Sequence, residues 1–103
     1  MRTLFFTILF IAPALFIQAQ TMPDAVKKVS DKYACGSCHL LDKRLVGPSW
    51  KELARKKYSA KTMLKLIREP QPGNWPNYPP MAPIPNMTSG EAKLIADWLS
   101  KLN

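Results

Sequence analysis

The chain of 103 residues has the length of one domain, which argues against a multidomain architecture. Its 15 Lys and Arg residues outnumber 7 Asp and Glu residues, and the net charge of +8 favours partners with an anionic surface. A domain of this size buries only about 60 to 65% of its chain surface, so a single disulfide or a bound cofactor is expected to stabilise it.

Residues 1–19 have the pattern of a secretory signal peptide. A positively charged start at Arg2 precedes an apolar run over residues 4–17, and Ala19 ends a small-residue cleavage site. Pro13 interrupts the run. A membrane-spanning helix needs about 20 apolar residues, and this run is shorter. We therefore predict a signal peptide over residues 1–19 and a soluble mature domain over residues 20–103 with a net charge of +7, because only Arg2 is lost. An uncleaved membrane anchor is the alternative.

The first predicted helix of the mature chain runs from about Pro23 to Tyr33. Proline is tolerated in the first turn of a helix, and Val26, Val29 and Tyr33 recur at i, i+3 and i+7. This spacing predicts one apolar face that packs into a core.

The two cysteines and the single histidine of the chain follow this helix as Cys35-Gly36-Ser37-Cys38-His39. Cys-x-x-Cys-His is the attachment sequence of c-type haem. Two cysteines three residues apart lie on neighbouring positions of a helical turn, so both sulfurs reach the vinyl groups of one porphyrin. The next residue then faces the iron, where a ring nitrogen of His39 serves as the proximal ligand.

Three other interpretations of these residues have less support. A thioredoxin-like dithiol needs a βαβ context, which the pattern lacks, and a structural disulfide gives His39 no role. A zinc site needs four ligands, whereas the chain offers three Cys and His side chains. We therefore predict one haem c, held covalently through Cys35 and Cys38.

Two more helices are predicted in the middle of the chain. Ser49 and Glu52 have the spacing of a capping box, so the second helix begins after Ser49. The third runs from Ser59 or Ala60 to Glu69, because Pro70 stops it. Its apolar stripe consists of Met63, Leu64 and Ile67.

Residues 70–85 hold seven of the ten prolines, too many for a helix or a central strand. Proline lowers the entropy of the unfolded chain, so such a loop holds a side chain in place at modest cost. Because Trp75, Tyr78, Met81 and Ile84 are interleaved with the prolines, we predict a packed loop. A linker or a polyproline recognition segment is the alternative.

The last predicted helix has the clearest pattern. Thr88 and Glu91 have the spacing of another capping box. Apolar residues then recur at helical spacing at Leu94, Ile95, Trp98, Leu99 and Leu102. The predicted fold class is all-α, with about four helices.

The sixth ligand of the iron is expected to be a methionine, since a chain with one histidine excludes bis-histidine ligation. Met22 lies near the N-terminus and Met63 on the inner face of a helix, where a core role is the ordinary explanation. Met81 lies between prolines that would hold its sulfur in place, which favours it. Met87 precedes a helix cap, where it would act as a hydrophobic staple, and it remains the alternative ligand.

From Asp24 to Leu102 the sequence resembles the small monohaem class I cytochromes c of bacterial respiratory chains. Four stretches carry the resemblance, namely residues 32–39 (KYACGSCH), 46–50 (VGPSW), 81–83 (MAP) and 91–92 (EA) leading into the last helix. The resemblance implies the class I cytochrome c fold, in which the helices wrap around one haem and the first helix crosses the last. That crossing would bring Val26, Val29 and Tyr33 against Leu94, Ile95 and Trp98.

The resemblance also implies roles for single residues. Met81 would be the axial ligand, the carbonyl of Pro48 would accept a hydrogen bond from the second ring nitrogen of His39, and Trp75 would lie near a haem propionate. Arg68 or Asn74 would help to neutralise that edge. The loop departs from the commoner Met-Pro-Pro arrangement, because its prolines are placed differently and Met87 follows six residues after Met81.

These expectations together predict an electron carrier. An iron with both axial positions filled has no vacant site for a substrate, so its chemistry is outer-sphere, one-electron transfer. The expected partners are respiratory redox proteins with acidic docking surfaces, namely a terminal oxidase or reductase and an upstream quinol-oxidising complex, and neither nucleic acid nor stable insertion into the membrane is expected. The expected location is the periplasm or the outer face of the cytoplasmic membrane.

Two other functions remain open at this point. A chain in which Met81 does not bind the iron would leave a site for a gas or for peroxide, as in a haem-based sensor or a weak peroxidase. A basic binding module would use its charge on lipid headgroups or an extracellular polymer, with the two cysteines as a disulfide.

Positive residues are concentrated in the second and third predicted helices. The group consists of Lys51, Arg55, Lys56, Lys57, Lys61, Lys65 and Arg68. We expect either that this face steers redox partners or that it is simply a solvated helical surface.

Overall fold

The computed structural model describes residues 7–12 and 21–102. The predicted cleavage site at Ala19 and most of the predicted signal peptide lie outside these ranges. None of the helices formed by the described residues is long and apolar enough to span a bilayer.

Four α-helices form the fold, and the described residues contain no β-strand. Helix α1 spans Asp24–Lys32, α2 spans Trp50–Arg55, α3 spans Ala60–Arg68 and α4 spans Ser89–Leu99. Two short 3-10 turns, Cys35–Ser37 and Pro72–Asn74, lie in the connections. The all-α prediction is confirmed, and each predicted helix end falls within a few residues of the observed end.

Side-chain caps explain why the helices begin where they do. In α2 the hydroxyl of Ser49 accepts a hydrogen bond from the backbone N–H of Glu52, and the Glu52 carboxylate accepts one from the N–H of Ser49. Thr88 and Glu91 form the same reciprocal pair at α4. Both predicted capping boxes are therefore present, and each satisfies donors that the first turn of a helix leaves without partners.

Helix α4 lies at the centre of the packing, because α1, α2 and α3 all contact it. Its buried residues are Ala92, Ile95, Ala96, Trp98 and Leu99. They join Val26 and Val29 of α1 and Met63 and Ile67 of α3 in one apolar core.

Leu94, which the resemblance predicts to face α1, is only partly covered in α4. Its side chain is 40% exposed, because Ala92, Ile95, Ala96 and Leu99 set the centre of the buried stripe. At about 100° per residue, Leu94 lies about 150° around the helix from that centre. The apolar pattern of α4 is wider than the face that the neighbouring helices cover.

Glu91 joins the end of α1 to the start of α4. Its carboxylate accepts hydrogen bonds from the Tyr33 hydroxyl at 2.7 Å and from the backbone N–H of Thr88 at 3.0 Å. The Lys32 ammonium donates another at 2.9 Å. These donors favour the charged form and lower the pKa of Glu91 to about 2, with the tyrosine contributing most. The haem-attachment motif begins at Cys35, two residues after Tyr33, so the hydrogen bond between Tyr33 and Glu91 holds the chain just before the motif.

The proline-rich segment, residues 70–85, packs against the helices as predicted. The Ile84 N–H donates to the carbonyl of Ile67 in α3 at 2.9 Å. The Tyr78 hydroxyl donates to the carboxylate of Glu52 in α2 at 2.9 Å. The segment is thus held to two helices by groups that are not prolines.

Replacing Glu91 with Gln is expected to flatten the dependence of stability on pH. A folded-state pKa of about 2, below the ordinary 4.5, means that the carboxylate stabilises the fold fully above the ordinary pKa. That contribution disappears as the pH falls from about 5 to about 2. Denaturant unfolding over this pH range should show that the free energy of unfolding falls more steeply for the wild type than for Glu91→Gln.

The matched control is Asp97→Asn, which changes an exposed carboxylate of the same helix. This variant should preserve most of the wild-type dependence of the free energy of unfolding on pH between pH 5 and 2. Equal slopes for the wild type and Glu91→Gln would contradict the assigned role.

Candidate haem site

The Cys-x-x-Cys-His motif forms a tight turn at the end of α1. Ala34 adopts the left-handed conformation (φ 55°, ψ 34°), which ends the helix and redirects the chain. The N–H groups of Cys38 and His39 then both donate to the carbonyl of Cys35, at 3.1 and 3.0 Å. This turn places the two cysteines and the histidine in the wall of one cavity.

Both cysteine side chains are partly buried, and no disulfide joins them. Burial raises the pKa of the Cys35 thiol, and a hydrogen bond with Ser30 partly opposes this effect. The two sulfurs are therefore available for the thioether bonds that the sequence motif predicts.

The imidazole of His39 is held by one of its two nitrogens. Its Nδ1 lies 2.7 Å from the carbonyl oxygen of Pro48. Because a carbonyl only accepts hydrogen bonds, Nδ1 carries the proton and Nε2 keeps its lone pair. Burial lowers the pKa of His39, which favours the neutral ring that a metal ligand must be. The predicted contact between Pro48 and His39 is present.

Gly47 is a further site residue, for which the sequence pattern predicted no role of its own. A Cβ atom at this position would lie 2.8 Å from Cε1 and 3.1 Å from Nδ1 of His39. The Gly47 N–H also donates to the carbonyl of Cys38 at 2.9 Å. The available signal was its place directly before Pro48, since the backbone that supports an imidazole ring must approach it closely.

Trp50 supports the imidazole from the side of the core. Its ring centroid lies 5.0 Å from that of His39 and 5.4 Å from that of Trp98, which it meets edge to face. Trp50 belongs to the stretch that carries the family resemblance, but no contact with His39 was predicted for it. The structure shows that it connects the candidate ligand to α4.

A cavity of about 500 Å³ lies in front of His39, within the range of cofactor sites. All six predicted site residues line it, namely Cys35, Cys38, His39, Pro48, Trp75 and Met81. Apolar side chains form most of the remaining wall, including Leu53, Met63, Ile67 and Ile95. Two sulfurs for attachment, a ring nitrogen and a thioether on an apolar cavity are the donors and surroundings that haem c requires.

The two candidate methionines differ in burial. Met81 is 38% exposed, whereas Met87 is 0% exposed and belongs to the apolar core. Both line the cavity. The complete burial of Met87 agrees with the packing role that its position before the α4 cap predicts.

Two aromatic rings of the proline-rich segment each have a cationic side chain over them. The Lys56 ammonium lies 4.9 Å from the ring centroid of Trp75, and the Arg44 guanidinium lies 4.0 Å from that of Tyr78. Trp75 and Tyr78 meet edge to face at 5.9 Å. Since both rings line the cavity, these cations lie beside its wall.

The expectation for Arg68 is not supported by the structure. Its guanidinium donates from Nε and Nη2 to the backbone carbonyl of Met87, at 3.0 and 2.7 Å, and Arg68 does not line the cavity. Asn74, the other residue predicted at the propionate edge, does line it. Arg68 is thus engaged by the backbone rather than available at the cavity wall.

Known proteins with similar sequences are cytochromes. The chain is 34% identical over 97 residues to cytochrome c-552 of Nitrosomonas europaea, an alignment that covers 90% of this chain and 91% of the relative. It is 32% identical over 106 residues to cytochrome c-551 of Stutzerimonas stutzeri, with 99% of each chain covered. Cytochrome c-551 of Azotobacter vinelandii is 39% identical over 69 residues, 63% of this chain and 82% of that protein. No family model and no solved structure matches.

Replacing Gly47 with Ala is expected to displace the His39 ring. A Cβ only 2.8 Å from Cε1 forces a shift that strains the hydrogen bond with Pro48. Overpacking of this kind costs about 1 to 3 kcal/mol, measurable as a lower free energy of unfolding of the haem protein. Gly73→Ala is the control, because a Cβ there meets no atom within 4 Å. Equal effects of the two substitutions would contradict the assigned contact.

Proposed function

The chain belongs to the small class I cytochromes c, electron-transfer proteins with covalently bound haem c, and on this premise we propose that His39 and Met81 are the axial ligands of its iron. Cys35 and Cys38 hold the porphyrin through thioether bonds in this proposal. The observation that carries it is the 2.7 Å hydrogen bond from His39 Nδ1 to Pro48, which leaves Nε2 as the metal-binding nitrogen.

Haem c, when bound, supplies a one-electron couple between ferrous and ferric iron. The residues of this chain act by closing both faces of the site. His39 and Met81 both line the cavity, and with both as ligands neither axial position would be left for a substrate. The thioether and the apolar wall both favour the ferrous state, and the reduction potential is therefore positive.

Met81 is preferred over Met87 for two reasons. Met87 is completely buried and its carbonyl is bound by Arg68, so its position is explained by packing. Met81 lies in the part of the segment that lines the cavity, between residues anchored to α2 and α3.

The experiment that tests this ligation compares Met81→Ala with Met87→Leu. The oxidised wild type should show the methionine-to-ferric-iron charge-transfer band, and Met81→Ala should lose it. Its reduction potential should fall by about 0.1 V or more, since axial ligands set haem potentials over a range of about 0.8 V. Met87→Leu preserves the apolar volume and should keep the band.

A Met81→Ala variant that retains the band would contradict the assignment. A wild type with haem but without the band would favour a sensor or a peroxidase instead. The mass of the same purified protein counts the haem groups and identifies its N-terminus.

Export of the protein is also part of the proposal. The charged start, the apolar run and the site at Ala19 support cleavage after residue 19. Such a protein would act in the periplasm or at the outer face of the cytoplasmic membrane.

Redox proteins are the partners of this chain, and we propose that their docking surfaces are acidic. Lys56 supports this interpretation, because it lies over Trp75 and thus beside the cavity wall. The Arg44 guanidinium likewise lies over the ring of Tyr78. A terminal oxidase or reductase and a quinol-oxidising complex are partners of the proposed kind. A focused positive field raises the rate of encounter with anionic partners.

Reversing the charge of Lys56 and Lys57 should slow electron exchange with an anionic reagent. With hexacyanoferrate(III) at low ionic strength, the double Glu variant should react about ten-fold more slowly than the wild type, and high salt should reduce the difference. Lys28→Glu with Lys101→Glu makes the same change in net charge outside the two basic helices. Equal rates for both double variants would show that only the net charge matters.

A further inference from the structure

We propose that Arg68 is a positioning residue that keeps the segment bearing Met81 closed over the cavity. The inference rests on the proposed ligation by His39 and Met81. It assigns to Arg68 a role in the strength of the bond between iron and methionine, although Arg68 is not itself a cavity residue.

The segment leaves α3 and returns to the same turn of that helix. It begins after α3, which ends at Arg68, and its last part together with Met87, two residues beyond it, is bound by the last two residues of the helix. The carbonyl of Ile67 accepts from the Ile84 N–H at 2.9 Å, and the Arg68 guanidinium donates to the Met87 carbonyl at 3.0 and 2.7 Å. These contacts close the base of a compact loop.

Beyond the restriction by its prolines, the segment is anchored by hydrogen bonds to described residues only on either side of Met81, not at Met81 itself. Pro79, Pro80 and Pro83 have no N–H group. Met81 and Ala82 retain theirs, but neither makes a backbone hydrogen bond to any described residue. On the near side, the closest anchor is Tyr78, which donates to Glu52. On the far side, the anchors are the contacts of α3 with residues 84 and 87.

Arg68 is well suited to anchor the chain on the far side of Met81. Its planar guanidinium presents two donors to one carbonyl, an arrangement that fixes direction as well as distance. The Met87 side chain is completely buried, so the carbonyl is held by packing on one side and by the guanidinium on the other. A lysine ammonium at this position would donate from a single point and restrain the carbonyl less.

Loss of this contact should raise the population of loops in which Met81 is away from the iron. Charge-assisted hydrogen bonds of this kind change an equilibrium by about ten-fold or more. An external ligand that binds only the open form then gains apparent affinity by the same factor, because its apparent dissociation constant scales inversely with the open fraction.

The test measures imidazole binding to the ferric haem protein for the wild type, Arg68→Met, Arg68→Lys and Lys101→Met. Arg68→Met should bind imidazole about ten-fold more tightly than the wild type, with an intermediate value for Arg68→Lys. Lys101→Met removes the same charge from an exposed position and should bind like the wild type. The charge-transfer band without imidazole and the far-ultraviolet circular dichroism are recorded on the same samples.

Unchanged imidazole affinity in Arg68→Met, or a change matched by Lys101→Met, would overturn the proposal. The proposal would also be overturned if Arg68→Met changed only the free energy of unfolding, because a merely structural contact has that effect. If Arg68→Met yields no haem protein, Arg68→Lys decides by the same criterion. Absence of the band from the wild type would contradict the ligation by Met81, whereas a wild type with the band and an unaffected Arg68→Met would contradict only the role of Arg68.

Discussion

The hydrogen bond between His39 and Pro48 determines what this site is able to bind. It fixes the protonated nitrogen of the ring and therefore leaves the other nitrogen for a metal. The bond requires the backbone to pass close to the imidazole, which explains a glycine at position 47. Trp50 then fixes the ring from the core side and links it to α4 through Trp98. A small set of contacts thus connects the donor atom to the centre of the packing.

The two capping glutamates have a second function that their local motifs do not reveal. Glu91 accepts from Tyr33, which lies just before the cysteine motif, and Glu52 accepts from Tyr78, which lies just before Met81. Each side of the haem site is therefore anchored by a tyrosine to the start of a helix. A carboxylate that already accepts backbone N–H groups is a well-oriented acceptor, so one side chain orders both the helix and the neighbouring segment.

Much of this arrangement was predictable from the sequence because it depends on local patterns. The helix ends follow from capping residues and Pro70, and the Cys-x-x-Cys-His motif specifies its cofactor through spacing alone. The exposure of Leu94 was not predictable, since periodicity shows an apolar face but not how much of it the neighbours cover. Arg68 was also misjudged, because its partner is a backbone carbonyl 19 residues away, and no side-chain pattern marks such an acceptor.

The proline content of the segment around Met81 has a consequence for how order is maintained there. The pyrrolidine rings restrict the backbone covalently, and neither heat nor denaturant removes a covalent restriction. The stretch keeps much of its local shape in the denatured chain, so less conformational freedom is lost when it docks again. If Met81 binds the iron as proposed, a thioether that is transiently released would return on a segment that is already bent, and its recapture would depend mainly on re-forming the contacts at the two ends of the segment.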